Sequence, residues 1–446
     1  MGIEDAFLQD ILAHPDDEAL RLIFADWLEE HDNPRGEFIR VQCILARLDD
    51  EDPRRWPLEQ RQRELLQEHE SKWLPSGSLM CPWGFHRGFA EQITLTPEEF
   101  LLWADPLFEQ APIRHLTLRQ RERSSFSEGL GADSLLAQVV QSPHLARLSG
   151  LALMSLSLSR HELEAFAASP YLQQLTELRL SRVYLDEDIL FAWSESPHSP
   201  RLRRLDLSDN QLSTRIVHAL AETPYLASLN ALNLGHTGLT LDNLRVLSHS
   251  SSLTNLTELN LNGNQLTHEA IPILAEGGLL SRLERLQLDA NALGDPGALA
   301  LRRWPALPRL TRLTLRHNHI HAAGIQALAE SPALSELISL DLFGNISCDG
   351  GTAALAASSR CAKLRALNLR FNGVGDRGVR AIAQSRMLRE LTWLNLTANR
   401  VTSAGARNLI DSPHLTRLAR LDLPRNDIAA AEQQGLCDRF GPFVHC

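Results

Sequence analysis

Long apolar runs are missing from this chain. No stretch reaches the ~18 consecutive apolar residues that a membrane-spanning helix requires, so no membrane protein is expected. Positive charge is not in surplus either. Lys and Arg number 44 against 55 Asp and Glu, a net charge of −11, and the whole chain lacks the basic footprint of a nucleic-acid or anionic-membrane binder. Cysteine is sparse and unpaired in pattern: Cys43, Cys81, Cys348, Cys361, Cys437 and Cys446 contain no CxxC and follow no regular spacing, which reads as reduced thiols in a reducing compartment. The start, Met1-Gly2-Ile3-Glu4-Asp5, is acidic and lacks the basic and apolar regions of a signal peptide,. A cytoplasmic location is the expectation.

What is present is length and regularity. At 446 residues, 43% apolar and 22% charged, the chain is a soluble folded protein too long for one ordinary core. Several domains or a repeat array are required. From Leu202 it reads Leu202-x-x-Leu205-x-Leu207-x-x-Asn210-x-Leu212, and the same frame returns at Leu229, Leu256, Leu283, Leu310, Leu337, Leu364, Leu391 and Leu418. Every step is 27 residues. Backward steps of 27 find Leu175 and Leu148, making eleven units, and Ile113-x-x-Leu116-x-Leu118 adds a twelfth before a longer connection, Arg119 to Ser134. A second column, Pro143, Pro170, Pro197, Pro224, Pro305, Pro332 and Pro413, lies on the same 27-residue grid. Proline there is expected to end the second half of each unit.

The physics of one unit follows from this pattern. Leu-x-Leu alternation makes a short strand with both leucines on one face. The asparagines Asn210, Asn264, Asn291, Asn318, Asn345, Asn372, Asn399 and Asn426 turn inward after the strand, where an amide pairs with otherwise unpaired backbone groups and stacked copies form a ladder. The rest of a unit, such as Thr214 to Glu222, has helical spacing. One unit cannot bury its own leucines, so units stack into a parallel sheet on one side and helices on the other. Because helices are bulkier than strands, the strands are expected on a concave side about 55 Å long for twelve strands at about 4.8 Å each.

The pattern resembles the ribonuclease-inhibitor-like class of leucine-rich repeats over residues 113–428. It implies an α/β solenoid of about twelve strand–helix repeats. Leu156, Val183 and Thr237 replace the asparagine, and Ser347 replaces an apolar residue; there the chain departs from the family's pattern.

The ends differ. Leu20, Ile23, Phe24, Trp27 and Leu28 share one helical face; Phe38, Val41, Leu45 and Leu48 make another helix; a further helix runs from about Leu58 to Trp73. Residues 1–75 read as a small all-α domain of about four helices, with Trp27 and Phe38 in its core and its charges on solvated faces. Asp17 to Glu30, with Phe24-Ala25-Asp26-Trp27-Leu28, and then Pro34-Arg35-Gly36-Glu37-Phe38-Ile39-Arg40-Val41-Gln42, resemble the bacterial repeat-companion domain, found N-terminal to repeats in paralogous bacterial proteins. The resemblance implies a docking module or a plain folding unit and brings no chemistry. Residues 76–112 read as a cap, with a strand at Phe89–Leu95 and a helix at Pro97–Phe108; residues 429–446 read as a second cap, with a helix at Ala429–Phe440. Caps cover the apolar ends of a stack.

Catalytic signals are weak. Gly373-Val374-Gly375-Asp376-Arg377-Gly378 imitates a dinucleotide fingerprint, but Asn372 and Val374 are ladder and core positions of a repeat. His317, His319 and His321 follow a strand in a turn and read as surface histidines rather than metal ligands. His161-Glu162 and His268-Glu269 lack the second histidine of HExxH, and Asp186 with Asp188 reads as loop charge. There is no Walker loop and no GxSxG, so neither cofactor nor metal is expected and no nucleophile–base set emerges.

A partner would sit on the outward positions of the strands. One column is small and polar: Asp206, Asn233, Asn260, Gln287, Thr314, Asp341, Asn368, Asn395 and Asp422. Against it stand Phe343, Arg370 and Trp393 in adjacent repeats, flanked by Arg312, Arg316 and Phe371. Aromatic groups with arginine are the composition of interface hot spots; the plainer alternative is local packing over the strand ends. A second, mixed cluster, Glu177, Arg179, Arg204, Asp206 and Asp209, reads as mutually paired surface charge. The expectation is a monomeric, non-catalytic scaffold for an unknown partner protein on the concave face. The alternative, implied by the repeat class, is an enzyme regulator such as a GTPase activator or a ubiquitin-ligase-like adaptor, with Arg316 or Arg370 stabilising charge.

Overall fold

The computed structural model of the protein describes residues 2–75, 81–120, 135–183, 185, 199–304 and 307–446. Pro197, Pro305, Asp186, Asp188 and nearly all of the 119–134 connection lie outside them. The chain divides into two compact units, Met1–Asp206 and Leu207–Cys446.

The first unit opens with four helices: α1 (Ile3–Ala13), α2 (Glu18–Glu30), α3 (Arg35–Arg47) and α4 (Arg55–Trp73). Asp17 accepts from the Ala19 N–H and caps α2, satisfying one of its unpaired first-turn donors. Ile11, Phe24, Leu28, Ile39 and Phe89 form one core, and Phe38, Leu65 and Trp73 a second. The face expected of α2 is turned. Ile23 is 53% exposed, Leu20 and Trp27 are half-buried, and Arg21 is completely buried. Hydrophobicity alone placed Ile23 inside; a buried ion pair decides otherwise. Arg21 pairs with the equally buried Glu91, donates to the carbonyls of His86 (3.3 Å) and Arg87 (3.2 Å), and lies over the Phe89 ring. Its charge is thus solvated from within. Leu48 falls one residue past α3, and α4 starts at Arg55 rather than Leu58.

Two strands, β1 (Trp83–His86) and β2 (Phe89–Leu95), form an antiparallel hairpin. Its turn is Arg87-Gly88, both with positive φ. A Cβ on Gly88 would lie 2.2 Å from Ile39 of α3, so only glycine lets the hairpin meet the helix. The helix α5 (Pro97–Gln110) is closed by a capping box between Thr96 and Glu99,. Parallel strands β3 (His115–Arg119), β4 (Gly150–Met154), β5 (Glu177–Ser181) and β6 (Arg204–Asp206) then add to β2 in order, with Leu116, Leu151, Leu178 and Leu205 in register and buried. Short helices α6 (Leu135–Val139) and α7 (Arg160–Ala168) lie between them in sequence.

The second unit repeats one motif. Its strands are β7 (Ala231–Asn233), β8 (Glu258–Asn260), β9 (Arg285–Gln287), β10 (Arg312–Thr314), β11 (Ser339–Asp341), β12 (Ala366–Asn368), β13 (Trp393–Asn395), β14 (Arg420–Asp422) and β15 (Val444–His445). Each pairs in parallel with the next, and the central leucines from Leu232 to Leu421 are 0–3% exposed. The helices are α8 (Thr214–Glu222), α9 (Leu241–Ser248), α10 (Ala270–Glu276), α11 (Gly294–Leu301), α12 (Ala322–Ala329), α13 (Cys348–Ala357), α14 (Asp376–Ala383), α15 (Ser403–Ile410) and the terminal α16 (Ala430–Phe440). The short strand β15, absent from the sequence reading, covers the free edge of β14,.

The asparagine ladder is formed. Asn291 donates to the carbonyls of Leu261 (3.1 Å) and Leu288 (3.0 Å), and its oxygen accepts from the N–H groups of Asn264 (3.1 Å) and Leu266 (2.9 Å). Asn345, Asn399 and Asn426 repeat the scheme. At two departures the replacing side chains make hydrogen bonds of their own. The Thr237 hydroxyl donates to the Leu234 carbonyl at 2.8 Å, and the Asn264 oxygen accepts from the Thr237 N–H. Buried Ser347 donates its own N–H to Asn372 and its hydroxyl pairs with Thr352.

A second ladder was not anticipated. The 3₁₀ turns opened by Pro143, Pro170, Pro224 and Pro332 show that proline starts a short turn rather than merely ending a helix. The residue before each is Ser or Thr. In the same column Ser250, Ser331, Ser358, Ser385 and Ser412 donate hydroxyls to Ala221, Leu301, Ala329, Ala356 and Ala383 at 2.5–2.7 Å. Those carbonyls lie at the C-terminal ends of the preceding helices, where no intrahelical donor remains. Trp304 occupies the column once, and its indole N–H donates to Ile271 at 3.0 Å instead.

Candidate functional site

Outward positions of β7–β14 alternate with the buried leucines and lie on the face away from the helices. The polar column on this face has a local task. Asn233, Asn260, Asp341, Asn368 and Asn395 each accept from the backbone N–H two residues on, at 2.9–3.0 Å. These side chains therefore terminate strands, as short Asx side chains do in turns.

The charged groups fall into two clusters. In the first, Arg316 binds Asp341 at 2.7 Å and lies 3.8 Å from Asp289. Asp341 also accepts from the Asn368 amide (2.9 Å) and the Phe343 N–H. Burial pushes the Asp289 carboxyl up, against the Thr314 and Arg316 contacts that draw it down. Burial also works against the Arg316 charge, but the two carboxylates together hold it above the ordinary guanidinium range. Next to this pair Arg370 lies over the Phe343 ring at 5.0 Å, and His317 meets the same ring edge-on at 4.5 Å. In the second cluster the Trp393 indole donates to Asp422 at 2.6 Å, with Arg420 5.7 Å over its ring and His445 Nδ1 2.6 Å from the same carboxylate.

The six expected residues are thus divided. Arg316, Phe343 and Arg370 come together. Trp393 is half-buried and turned to Asp422. Arg312 is half-buried in β10, in register between Arg285 and Ser339. Phe371 is 63% exposed in the turn after β12. His317, Asp289, Asp341, Asp422, Arg420 and His445 were missed as members. The signal for two of them was in the sequence: aspartate at 341 and 422 in a column whose neighbouring members, Asn368 and Asn395, are neutral.

Other expected features resolve into architecture. Gly373 has φ +70; the Gly375 N–H and the Gly378 N–H both donate to Asp349 at 2.8 and 2.9 Å, and a Cβ on Gly378 would lie 2.8 Å from that carboxylate. The glycines of the GxGxxG serve repeat-to-repeat contact. His317 packs on Phe343, His319 sits in a left-handed turn, and the His321 N–H donates to Asp295. In the first unit Arg179 pairs with Asp206 at 2.9 Å and Arg204 lies 3.9 Å from Glu177.

Models described as Leucine Rich Repeat match residues 201–222, and others described as Leucine Rich repeat match 252–271, 307–329 and 360–383. The units are leucine-rich repeats. Solved structures similar to the chain include an internalin from Listeria monocytogenes (19% identity, 79% of this chain and 84% of that chain, TM-score 0.42) and the Rad7 and Elc1 complex in yeast (16% identity, 96% and 95%, TM-score 0.47). No curated protein matches. Among the described residues, no helix of this leucine-rich-repeat chain is long and apolar enough to cross a membrane.

Proposed function

We propose that the protein is a non-catalytic scaffold that binds a partner protein on the helix-free face of its leucine-rich repeats, around β10–β13. The observation that carries this reading is the pair Arg370-Phe371. Both side chains are exposed just past β12, beside a face on which Asn233, Asn260, Asp341 and Trp393 are engaged with their own backbone or with neighbouring side chains. Exposed aromatic and arginine side chains side by side are typical of contact hot spots. The acids and bases nearby are locked into pairs, which suits recognition better than proton transfer. A helix in each 27-residue unit supports the ribonuclease-inhibitor-like subclass. The repeat-companion reading of residues 1–75, and the bacterial origin it implies, rest on the motif at 17–42. The divisions at 75/76, 112/113 and 428/429 are kept as functional boundaries on the same sequence grounds.

The test is capture from a native lysate by the wild-type chain beside an Arg370→Ala, Phe371→Ala double variant. Both residues are exposed, so the variant is expected to keep the wild-type circular dichroism spectrum and melting curve. Loss of a captured protein places binding on this face. Equal capture moves it elsewhere, and capture of nothing removes the support for a scaffold.

A further inference from the structure

Arg370 differs from the other arginines of its face. Arg285 lies 3.7 Å from Glu258, Arg316 is bound to Asp341, and Arg420 lies 3.1 Å from Asp422. Arg370 has the Phe343 ring at 5.0 Å and, among the described residues, no carboxylate. A guanidinium lying over a ring face is attracted by the ring and does not use up its N–H donors in doing so. The ring also meets His317 edge-on, and the backbone N–H of Arg370 donates to the Asn368 side chain at 3.0 Å, which holds the main chain from which the guanidinium extends. The guanidinium over the Phe343 ring is exposed and keeps its planar fork of N–H donors, which can donate to both oxygens of a carboxylate,.

Phe371 adds an independent sign. Its φ is +56, a left-handed conformation held at the equivalent position of other repeats by Asp209, His236, Ala290, His317, Gly344, Ala398 and Arg425. The conformation belongs to the fold and is shared by His236, His317 and Arg425; what sets Phe371 apart is a large apolar ring that is 63% exposed. An exposed aromatic ring next to an exposed arginine has the composition of a contact site.

We infer that Arg370 and Phe371 form one subsite for an acidic segment of a partner protein, the Arg370 fork taking a Glu or Asp carboxylate and Phe371 taking a neighbouring apolar side chain. This rests on the scaffold reading and narrows it to a partner chemistry. The overall charge of −11 opposes acidic ligands elsewhere, so recognition is local. It also opposes a nucleic-acid phosphate as the anion, since backbone binding needs several cations together.

The test is a printed array of fifteen-residue peptides of random sequence, probed with full-length wild type, Arg370→Gln, Arg370→Glu and Phe371→Ala, followed by fluorescence anisotropy on the best peptide and on a labelled twenty-nucleotide single-stranded DNA. Expected is enrichment of peptides with Glu or Asp beside Leu or Phe. Affinity should fall at least tenfold in Arg370→Gln and in Phe371→Ala, and Arg370→Glu should select Lys- or Arg-bearing peptides instead. Capture of neutral or basic peptides by wild type, lost in both charge variants, would overturn the acidic partner while keeping the face as a binding site. Binding unchanged in all variants, or absent, would overturn the subsite, and the lysate capture then decides independently whether the scaffold reading survives. DNA binding tighter than any peptide's would overturn the protein partner.

Discussion

The two units bury polarity with a different emphasis. The first holds a fully buried charged pair, Arg21 with Glu91, joined from a helix and a strand seventy residues apart and supported by carbonyls of the hairpin turn. The second holds neutral groups in series, an asparagine ladder and a hydroxyl ladder, each bond reaching about one repeat. A charged pair in a dry site is tolerated only with all its partners in place. A neutral ladder distributes the same task, so a substitution such as Thr237 is absorbed by its neighbours. Concentrated polarity is therefore fragile, whereas repeated polarity is tolerant.

The largest expected effect tests that contrast directly. Glu91→Ala leaves Arg21 buried without its counter-charge and should cost about 3–5 kcal/mol, read as a lower urea midpoint for the first unit. An unchanged midpoint would mean that carbonyls alone suffice for Arg21. In the second unit Leu313→Ala should cost about 2–5 kcal/mol through the cavity it opens.

Polar substitutions in the ladders should cost less. Asn318→Leu strips partners from the carbonyls of Leu288 and Arg316 and from the Leu293 N–H, a loss of about 1–3 kcal/mol. Ser385→Ala removes one hydroxyl from the Ala356 carbonyl and should cost about 1 kcal/mol. If Ser385→Ala proved as damaging as Glu91→Ala, the distinction between concentrated and distributed polarity would fail.

The smallest effect is in pH dependence, and its sign differs between the units. Burial pulls the His115 imidazole below its ordinary 6.5, with Glu177 opposing. The unfolded chain then takes the proton first, so stability falls as pH drops below about 6.5,. Burial pushes Asp289 above 3.8, so the folded chain takes the proton first and stability rises as pH falls through that raised value. His115→Asn and Asp289→Asn should each flatten one slope in urea melts run across pH. Slopes of the same sign in both would contradict the burial of one group.

Much of the fold was legible because stacking forces every unit to solve one problem with one set of residues. A 27-residue leucine column, its asparagines and the expected helix at Thr214–Glu222 all appear in place. The hydroxyl column was equally periodic but looked like punctuation beside proline. Its meaning needs the carbonyl it meets one repeat earlier. The candidate site was half legible. Large groups at outward strand positions can be counted from the frame, and Arg370 and Phe371 are indeed exposed.

The sequence by itself determined the repeat, its register and which repeat leucines face inward, because alternation and period are properties of the chain's local geometry. Tertiary structure alone decided that Arg21 goes inside while Ile23 stays out, that Trp393 turns to Asp422, and that Arg370 meets the Phe343 ring. Those outcomes depend on which charges meet across space, and a pairwise Coulomb and desolvation balance has no period to read along the chain.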